Sequence, residues 1–591
     1  MRHGFGAQGR SRYGGLRRRG GVTVYGIHRK GHIVMKTGIF ICHCGHNIKH
    51  TVDVRRLSEY FKKYPQVTVS EDYPFVCSEP GQDMITESIE KHGLDRVIIA
   101  SCAPSLHGEL FKDLLRKKNV NPFLLRRVSI REHCSWVGDD IDQNTEKAKR
   151  LILSGLYGAA HYVPLEEKQV EVNKSALVIG GGVSGLSAAL FLSKMGMHVY
   201  LVEMGEELGG HVRELKSVWP SRVSGAGIVE EMEKELKTRS NVEIFTSTKL
   251  SNFEGFFGNY TATLDTPAGE KKITVGGVVL SIGFSPFDPH IKPELGYGRD
   301  PRIVTTLDLE KAGDSLNLPD KPRVAVLHCI GSRDEQIGRP YCSRICCINA
   351  LRASEAIKEK YNDSYVESFY MDVRAHPRGG EEFFEDTQEK GVLFTRANIG
   401  EIIPTPAGVV LRGEDTLLGE TFEREFDLVV LSIGMSPPET SKEMATLLKI
   451  SLDKDKFFLE AHIKLRPFDT AVKGIFIAGS CSGPKDVEES INHGRASALK
   501  LYGFLNLGYA FVDPFISIVD PKRCSGCRMC EQACVAKAIK FDEEKRVVHV
   551  EEAACMGCGL CNATCPSSAI SLKGYVDSII DDEISALLEA I

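Results

Sequence analysis

The chain has 591 residues and a mass of 65.2 kDa, which leaves room for several domains and argues against a lone binding module. Lys and Arg total 74 against 79 Asp and Glu, so the net charge is −5, and 42% of the residues are hydrophobic. These values exclude general disorder and a nucleic-acid-sized basic surface. Because the sequence has no membrane-spanning apolar run and no signal-peptide core, we expect a cytoplasmic protein.

The 18 cysteines are the most informative feature of the composition. A cytoplasmic chain does not keep so many thiols for disulfides, so we expect most of them to be metal ligands. Eight lie within 524–565, four within 329–347 and five within 42–134, and Cys481 stands apart from all of these groups.

The N-terminal segment differs from the rest of the chain. Residues 1–34 carry eight Lys or Arg and no acid, so they are predicted to be a disordered basic extension or the product of a start assigned too early. A nucleic-acid-binding arm is the functional alternative. Met35 opens the strand-like segment MKTGIFICHCG and is the favoured start.

Residues 35–165 are predicted to form a small α/β domain, because short β-branched runs alternate with amphipathic stretches. Cysteines follow these runs, where the loops of an open parallel sheet present ligands. A cluster or redox site and a set of buried free thiols both remain open for Cys42, Cys44, Cys77 and Cys102.

The segment SALVIGGGVSGLSAALFLSKMGMHVYLVE carries a dinucleotide-binding pattern. Gly180, Gly182 and Gly185 form GxGxxG between an apolar strand and a helix, where the backbone can approach a pyrophosphate at the helix N-terminus. Glu203 follows 18 residues after Gly185 and is placed to accept hydrogen bonds from an adenosine ribose. Gly210, just beyond, suits a phosphate-side loop. We assign 166–320 as the first part of an FAD-binding domain.

A distant segment, VKGIFIAGSCSGPKDVEESINHGRASALK, favours FAD over NAD. Its strand ends at Gly479, and the helix starting near Asp486 and Val487 can direct its N-terminal amides at the flavin. The segment resembles the closing FAD motif of two-dinucleotide-binding-domain flavoproteins such as thioredoxin reductase, except that Ser480 and Cys481 stand where those families place Asp. The near repeats VVLSIGFSP and VVLSIGMSP look like the strand-to-loop crossovers of that fold. Residues 441–510 are predicted to close the FAD domain.

Residues 321–440 are predicted to form a second Rossmann-like domain that lacks a second GxGxxG. Four cysteines replace the glycine loop, in the pattern C-x12-C-x3-CC at a strand end and a helix start, which suits a [4Fe-4S] cluster. A zinc site and a redox disulfide are the alternatives. No dithiol lies near the first glycine loop, which disfavours direct thiol–disulfide exchange. The predicted ligands are Cys329, Cys342, Cys346 and Cys347.

Residues 511–575 contain two C-x2-C-x2-C-x3-C runs, the pattern of a 2[4Fe-4S] ferredoxin domain. In such paired runs the fourth cysteine ligates the other cluster. The first cluster then takes Cys524, Cys527, Cys530 and Cys565, and the second takes Cys555, Cys558, Cys561 and Cys534. Residues 576–591 are predicted to be a C-terminal helix.

Over about residues 35–575 the chain resembles the A-type subunit family of heterodisulfide reductases, which are iron–sulfur flavoproteins. The resemblance is carried in order by FICHCGHNI, CSEPGQ, ASCAPSLH, GGGVSG, YCSRICCINAL, AGSCSGPKD and the paired ferredoxin runs. It implies FAD, [4Fe-4S] clusters and a hetero-oligomer, in which this chain can also dimerise. The implied partners are other heterodisulfide reductase-type subunits, a hydrogenase or formate dehydrogenase-type electron donor, and ferredoxin. Flavin-based electron bifurcation is a property of some members.

This chain departs from the longer members because no ferredoxin domain is inserted after Gly210. We interpret Arg352, five residues after Cys347, as either a positive charge near the flavin or part of a solvated helix face. The terminal acceptor stays open between the CoM-S-S-CoB heterodisulfide and another disulfide or thiol system.

The fold class is therefore α/β: a thioredoxin-reductase-like flavoprotein core with a small N-terminal α/β domain and a C-terminal ferredoxin domain. The leading functional hypothesis is an electron-transfer protein in which the flavin is the reactive group. A self-sufficient NAD(P)H-dependent flavin oxidoreductase and a non-catalytic iron–sulfur scaffold are the alternatives.

Overall fold

The computed structural model describes residues 35–313 and 318–589, so the expectation for 1–34 lies outside the described residues. The chain separates into two compact units. Among the described residues, one unit contains those up to Leu165 together with the segment from Val576, and the other lies within Glu166–Tyr575.

The first unit is built on a four-stranded parallel sheet with the order β2-β1-β3-β4. The inner strand β1 is buried along its whole length, as expected for its apolar run GIFIC. The strands are β1 Thr37–Cys42, β2 Val67–Tyr73, β3 Arg96–Ser101 and β4 Leu125–Ser129; the helices are α1 His46–Lys49, α2 Val54–Lys62, α3 Glu79–His92, α4 Pro104–Lys117 and α5 Ile141–Ala159.

The second unit begins with the FAD-type domain, whose strand β6 is followed directly by the glycine loop and α6. A separate three-stranded antiparallel sheet, β11-β10-β9, extends from it. The elements are β5 Lys168–Glu171, β6 Ser175–Ile179, α6 Val183–Lys194, β7 His198–Val202, α7 Gly225–Lys237, β8 Val242–Phe245, β9 Lys249–Phe256, β10 Asn259–Thr266, β11 Gly269–Val275, β12 Gly277–Leu280, β13 Ser285–Pro286, β14 Ile303–Thr305 and α8 Thr306–Ala312.

A second Rossmann-like domain follows, with a seven-stranded sheet in the order β14-β20-β15-β16-β17-β18-β19. The first five strands in this order are parallel, and β17, β18 and β19 form an antiparallel meander. The elements are β15 Arg323–Ile330, α9 Cys346–Lys360, β16 Tyr365–Tyr370, α10 Gly380–Glu389, β17 Leu393–Pro404, β18 Val409–Asp415, β19 Glu420–Phe426, β20 Leu428–Ile433, β21 Met435–Ser436 and α11 Ser441–Leu448.

The chain then returns to the FAD-type domain through β22 Ile475–Ile477 and α12 Val487–Leu507, followed by β23 Tyr509–Val512. Strand β22 completes a five-stranded parallel sheet in the order β22-β12-β6-β7-β8. The near repeats in the sequence meet at the crossover between the domains, where β13 pairs with β21 in antiparallel fashion.

The ferredoxin domain consists of two short helices and two two-stranded sheets, β24-β27 and β25-β26. Its small core is formed largely by cysteines and aliphatic side chains, as expected of a domain stabilised by clusters. The elements are β24 Ser517–Val519, α13 Met529–Ala533, β25 Ile539–Asp542, β26 Val547–Val550, α14 Leu560–Thr564 and β27 Ile570–Leu572.

The predicted C-terminal helix is present as α15 Asp577–Glu589. It packs on α5 within the first unit, where Ala586 is fully buried in the core and Asp582 lies 2.7 Å from His161 Nε2. None of the helices in the part of the chain that the structure describes is both long and apolar enough to cross a bilayer.

Candidate redox sites

The glycine loop between β6 and α6 has the geometry that a dinucleotide requires. Gly180 has φ +101°, and a Cβ there would lie 2.4 Å from the Ser281 carbonyl oxygen. A Cβ on Gly185 would lie 1.8 Å from the Gly180 carbonyl oxygen, so this glycine allows the helix to pack on the strand. Gly182 differs from both, because a Cβ on it would meet no atom within 4 Å. The open space above Gly182, at the N-terminus of α6, fits a pyrophosphate.

Glu203 lies directly after β7 and faces this loop. Its carboxylate accepts hydrogen bonds from the Gly181 amide at 2.6 Å and the Gly205 amide at 2.7 Å. The Gly209 amide donates to the Gly181 carbonyl at 2.8 Å, which holds Gly210 against Gly182. A carboxylate anchored by two amides retains acceptor capacity for ribose hydroxyls. The structure thus brings together the predicted residues of the first FAD segment.

The closing segment packs its helix α12 on α6. A Cβ on Gly494 would lie 2.2 Å from the Ser184 carbonyl oxygen, and Gly479 takes φ +73° beside Ser184. Asp486 caps α12: its carboxylate accepts from the Glu489 amide at 2.7 Å, and Glu489 accepts from the Asp486 amide at 3.1 Å. The helix therefore begins at Val487, as expected for the flavin-facing end of the motif.

Two residues near this end have no counterpart in the expected motif. Cys481, which stands near the usual position of an Asp, is fully buried and donates its thiol towards the carbonyls of Leu280 and Ala478. His493 accepts a hydrogen bond from the Gly479 amide through Nδ1 at 3.1 Å. Burial, together with the nearby Lys485, lowers the pKa of His493 to about 3, so the imidazole is neutral.

The four cysteines of the second domain meet at one place. They line a single pocket at the carboxyl end of β15, at the position where a Rossmann domain holds its pyrophosphate. The other lining residues are three arginines and one carboxylate: Arg333, Arg344, Arg374 and Asp372. The prediction that Cys329, Cys342, Cys346 and Cys347 belong together agrees with this geometry.

Backbone and charge contacts at this pocket suit an anionic cluster. The Arg344 amide donates to Cys342 Sγ at 3.4 Å, and the Arg374 amide donates to Cys347 Sγ at 3.3 Å. Burial, reinforced by Cys347, raises the pKa of Cys329 to about 12. Such buried thiols become thiolates only when a metal centre takes up their charge.

The ferredoxin cysteines are arranged in two matching halves. The Ala538 amide donates to Cys534 Sγ at 3.2 Å, and the Ala569 amide donates to Cys565 Sγ at 3.3 Å. Burial raises the pKa of Cys530, and the neighbouring Cys527 and Cys565 add to this rise. Cys565 is therefore near the first run, in agreement with the predicted crossover.

The four N-terminal cysteines also lie close together, at the carboxyl edge of the first sheet. Burial raises the pKa of Cys42 to about 11, and Cys44 and Cys77 contribute to the rise. Burial raises the pKa of Cys77 as well, and Cys102 reinforces that rise. Within 35–313 and 318–589, no three Cys, His, Asp or Glu side chains stand as ligands of a single metal ion.

Arginines contact this N-terminal group. Arg127 Nη2 lies 3.8 Å from Cys102 Sγ, and Arg131 Nη1 lies 3.5 Å from Cys44 Sγ. The buried Nε and Nη1 atoms of Arg127 find no hydrogen-bond partner among the described residues. These buried guanidinium donors lie beside Cys102 and are able to donate to an anionic group.

No sequence pattern near Arg333, Arg344 or Arg374 predicted that they line the cysteine pocket of the second domain. The solvated-face interpretation of Arg352 is wrong. Its side chain is 15% exposed and binds Glu310 at 2.8 Å and Ser217 Oγ at 2.9 Å.

Comparison with known proteins shows which family this chain belongs to. A family model described as pyridine nucleotide-disulphide oxidoreductase matches residues 156–310, and one described as 4Fe-4S dicluster domain matches residues 523–569. An A-type iron-sulfur subunit of the CoB--CoM heterodisulfide reductase of Methanopyrus kandleri is 35% identical, over 86% of this chain and 92% of that protein. The chain belongs to the heterodisulfide reductase A-type subunit family.

Two further similarities accompany this membership. The A-type subunit of the H(2):CoB-CoM heterodisulfide,ferredoxin reductase of Methanothermobacter marburgensis is 33% identical, over 87% of this chain and 92% of that protein. The thioredoxin reductase of Lactococcus lactis is 17% identical, with a TM-score of 0.42, and the match covers 56% of this chain and 99% of that one.

Membership in this family confirms the resemblance found in the sequence. The matched domains confirm the α/β flavoprotein core, FAD as its cofactor and a C-terminal domain with [4Fe-4S] clusters. This member of the family is an oxidoreductase. The bound flavin supplies exchange between two-electron and one-electron chemistry, and the chain supplies the glycine loop, Glu203 and the end of α12 that would hold it.

Proposed function

We propose that this protein is the FAD- and [4Fe-4S]-containing electron-transfer subunit of a heterodisulfide reductase-type complex. It passes electrons from a hydrogenase or formate dehydrogenase-type donor through FAD to ferredoxin and to a disulfide-reducing partner. The names of relatives support this proposal, since they include H(2):CoB-CoM heterodisulfide,ferredoxin reductase and H(2)/formate:CoB-CoM heterodisulfide,ferredoxin reductase.

One observation carries the proposal: the pocket of the second domain is lined by four thiols instead of a glycine loop. Such a pocket suits a third [4Fe-4S] cluster at Cys329, Cys342, Cys346 and Cys347, and it offers no loop to a nicotinamide dinucleotide. Electrons therefore reach the flavin through clusters and partners, and the self-sufficient NAD(P)H oxidoreductase is disfavoured.

An anaerobic titration tests the proposal on the purified, reconstituted protein. NADH and NADPH are added first and dithionite second, while flavin and cluster absorbance and the iron and FAD contents are measured. We expect no bleaching of the flavin by either nicotinamide, full bleaching by dithionite, and at least about 12 iron per FAD, the content of three four-iron clusters. Rapid bleaching by NADH or NADPH would contradict the partner-fed function.

A fourth cluster, in the first unit, is a second proposal. The unpartnered Nε and Nη1 atoms of Arg127 beside Cys102 favour it, because they suit the anionic sulfides and thiolates of a cluster better than neutral thiols. We expect about 16 iron per FAD in total, and loss of about four in a Cys102→Ser variant. An unchanged iron content in that variant, measured against wild type, would contradict the fourth cluster.

A further inference from the structure

Arg344 lies inside the cysteine motif of the second domain, between Cys342 and Cys346. Its backbone takes φ +62°, and its amide donates to Cys342 Sγ at 3.4 Å. The residue is therefore part of the loop that supplies the predicted cluster ligands. Its left-handed conformation turns the chain between the second and third of these cysteines.

The guanidinium of Arg344 leaves the loop and reaches the flavin-facing end of α12. Its Nη2 binds Glu489 Oε1 at 2.6 Å, and its Nη1 donates to the Pro484 carbonyl at 3.3 Å. Its Nε donates to His376 Nε2 at 3.1 Å. All three guanidinium nitrogens are thus engaged, so the orientation of the side chain is well determined.

Glu489 connects this arginine to the start of the helix. Its other carboxylate oxygen accepts from the Asp486 amide at 3.1 Å, within the capping box of α12. Burial opposes ionisation of Glu489, but the Arg344 hydrogen bond holds its pKa below the ordinary value. A continuous set of hydrogen bonds therefore runs from Cys342 Sγ through Arg344 and Glu489 to the N-terminus of α12.

We propose that Arg344 is a positioning residue that couples the 329–347 cluster to the flavin. It holds the cluster loop against the helix whose N-terminus faces the flavin, and so fixes the separation of the two redox groups. The inference rests on the proposed function, because it requires a cluster at the four thiols. In electron transfer between the two groups, the reduced flavin loses one electron and the cluster gains it. No bond forms or breaks between them, and no proton passes from one to the other.

Arg344 also contributes charge. Reduction adds one negative charge to a cluster that four thiolates already make anionic, and Arg344, which lines the same pocket as these thiols, favours the more negative state through its positive charge, although Glu489 offsets part of it. Removal of the positive charge should therefore lower the reduction potential of this cluster. A lysine at position 344 would keep the positive charge but lack the planar guanidinium, so its contact with Glu489 should be weaker.

Three variants separate these two contributions: Arg344→Gln, Arg344→Lys and Glu489→Gln. Arg412→Gln, an exposed arginine of the same domain that pairs with Glu423, is the matched control. Iron and FAD contents are measured first. EPR-monitored redox titration then gives the cluster potential, and stopped-flow absorbance gives the rate of electron transfer between flavin and cluster.

We expect Arg344→Gln to lower the cluster potential and to slow transfer by about tenfold or more, because the separation of the flavin and the cluster is no longer fixed. Arg344→Lys should restore the potential but not the rate. Glu489→Gln should slow transfer with little change in iron content, because Glu489 holds the arginine rather than a cysteine ligand. Arg412→Gln should behave as wild type in both measurements.

Wild-type potential and wild-type transfer rate in an Arg344→Gln protein with full iron and FAD would overturn the proposal. If Arg344→Gln loses iron, the Glu489→Gln variant provides the test instead. An unchanged rate of electron transfer in Glu489→Gln would also overturn the proposal. A wild-type protein with only about eight iron per FAD would instead refute the third cluster of the proposed function, so the two failures are distinguishable.

Discussion

The two dinucleotide-type halves of the second unit use the same strand–loop–helix position for different ligands. In the first half, β6 passes into α6 through a short glycine loop whose backbone approaches the ligand. In the second half, β15 passes into α9 through a longer loop, and four cysteines from the strand, the loop and the helix line the pocket. Backbone amides are placed to bind the ligand in one half, and side chains are placed to ligate it in the other.

The comparison indicates that a Rossmann-like sheet presents an anion-binding site, and that the residues of the loop determine which anion binds there. A helix N-terminus at the carboxyl edge of a parallel sheet favours negative charge of any kind. Glycines leave room for a pyrophosphate, whereas Cys346 and Cys347 in the first turn of α9 offer thiolates to a cluster. The two halves should therefore lose different cofactors when they are altered.

The largest expected effect is on the cysteine half. A Cys346→Ala variant should lose the third cluster, about four iron per chain, while FAD content stays near wild type because the glycine half is untouched. Iron analysis and the flavin absorbance measure both quantities. Cys481→Ala, which removes a buried thiol outside the cysteine sets, is the control and should keep all iron. Equal iron in the two variants would contradict a cluster at this pocket.

The glycine half gives the next effect. The side chain added by Gly182→Ala meets no protein atom within 4 Å, and the φ of −69° suits alanine, so the fold should persist. The added methyl group enters the space assigned to the pyrophosphate, and we expect FAD affinity to fall at least about tenfold. Fluorescence titration of the apoprotein with FAD measures the affinity, and iron content should not change.

Gly185→Ala is the contrasting variant at the same loop. Its Cβ would lie 1.8 Å from the Gly180 carbonyl oxygen, so it should destabilise the packing of α6 on β6. A lower thermal midpoint is expected for Gly185→Ala and a wild-type midpoint for Gly182→Ala. Unchanged FAD affinity in Gly182→Ala would place the pyrophosphate elsewhere.

Local sequence patterns predicted much of this comparison. The strand-like segment that begins at Met35 contains β1, and the glycine and cysteine motifs fall at strand ends and helix starts as expected. These features follow from residues that are neighbours in the sequence. The pairing of the two near repeats as β13 and β21, and the packing of α15 on α5, depend on contacts between distant segments and were not predictable from periodicity.

The arginines illustrate the same limit. Arg344 stands 145 residues before Glu489, and no pattern near either residue indicates their contact. Arg352 could be interpreted as a surface residue because charged side chains on helices usually are, yet it pairs with Glu310 in a half-buried position. The sequence predicted the cysteine ligands of the second domain, but it did not predict which charged side chains surround them.

A smaller effect is expected at Glu203, which tests how the glycine half binds ribose. Glu203→Gln keeps an acceptor oxygen for only one of the Gly181 and Gly205 amides and loses the negative charge, so FAD affinity should fall about tenfold. Glu207→Gln, an exposed acid of the following loop, is the matched control and should bind FAD as wild type does. Wild-type affinity in Glu203→Gln, measured by the same fluorescence titration, would contradict the ribose role.

The smallest effect concerns His493, which holds the Gly479 amide at the end of the FAD motif. Burial, together with Lys485, lowers its pKa to about 3 in the folded protein, whereas the unfolded residue takes up a proton near its ordinary value of 6.5. The unfolded state thus binds more protons below pH 6.5, so the stability contributed by the neutral imidazole is complete above that pH and falls as the pH decreases towards 3. The loss approaches about 1.4 kcal/mol per pH unit.

A His493→Asn variant should lose less stability than wild type between pH 6.5 and about pH 5.5, as measured by denaturant unfolding of the two proteins side by side. His549→Asn, at an exposed histidine of the ferredoxin domain, should follow wild type. The difference between the wild-type and His493→Asn profiles reports the protonation of this one imidazole, because the two proteins share every other titrating group. Parallel pH profiles for wild type and His493→Asn would mean that this imidazole is not held neutral, and its Nδ1 could then not be the acceptor of the Gly479 amide.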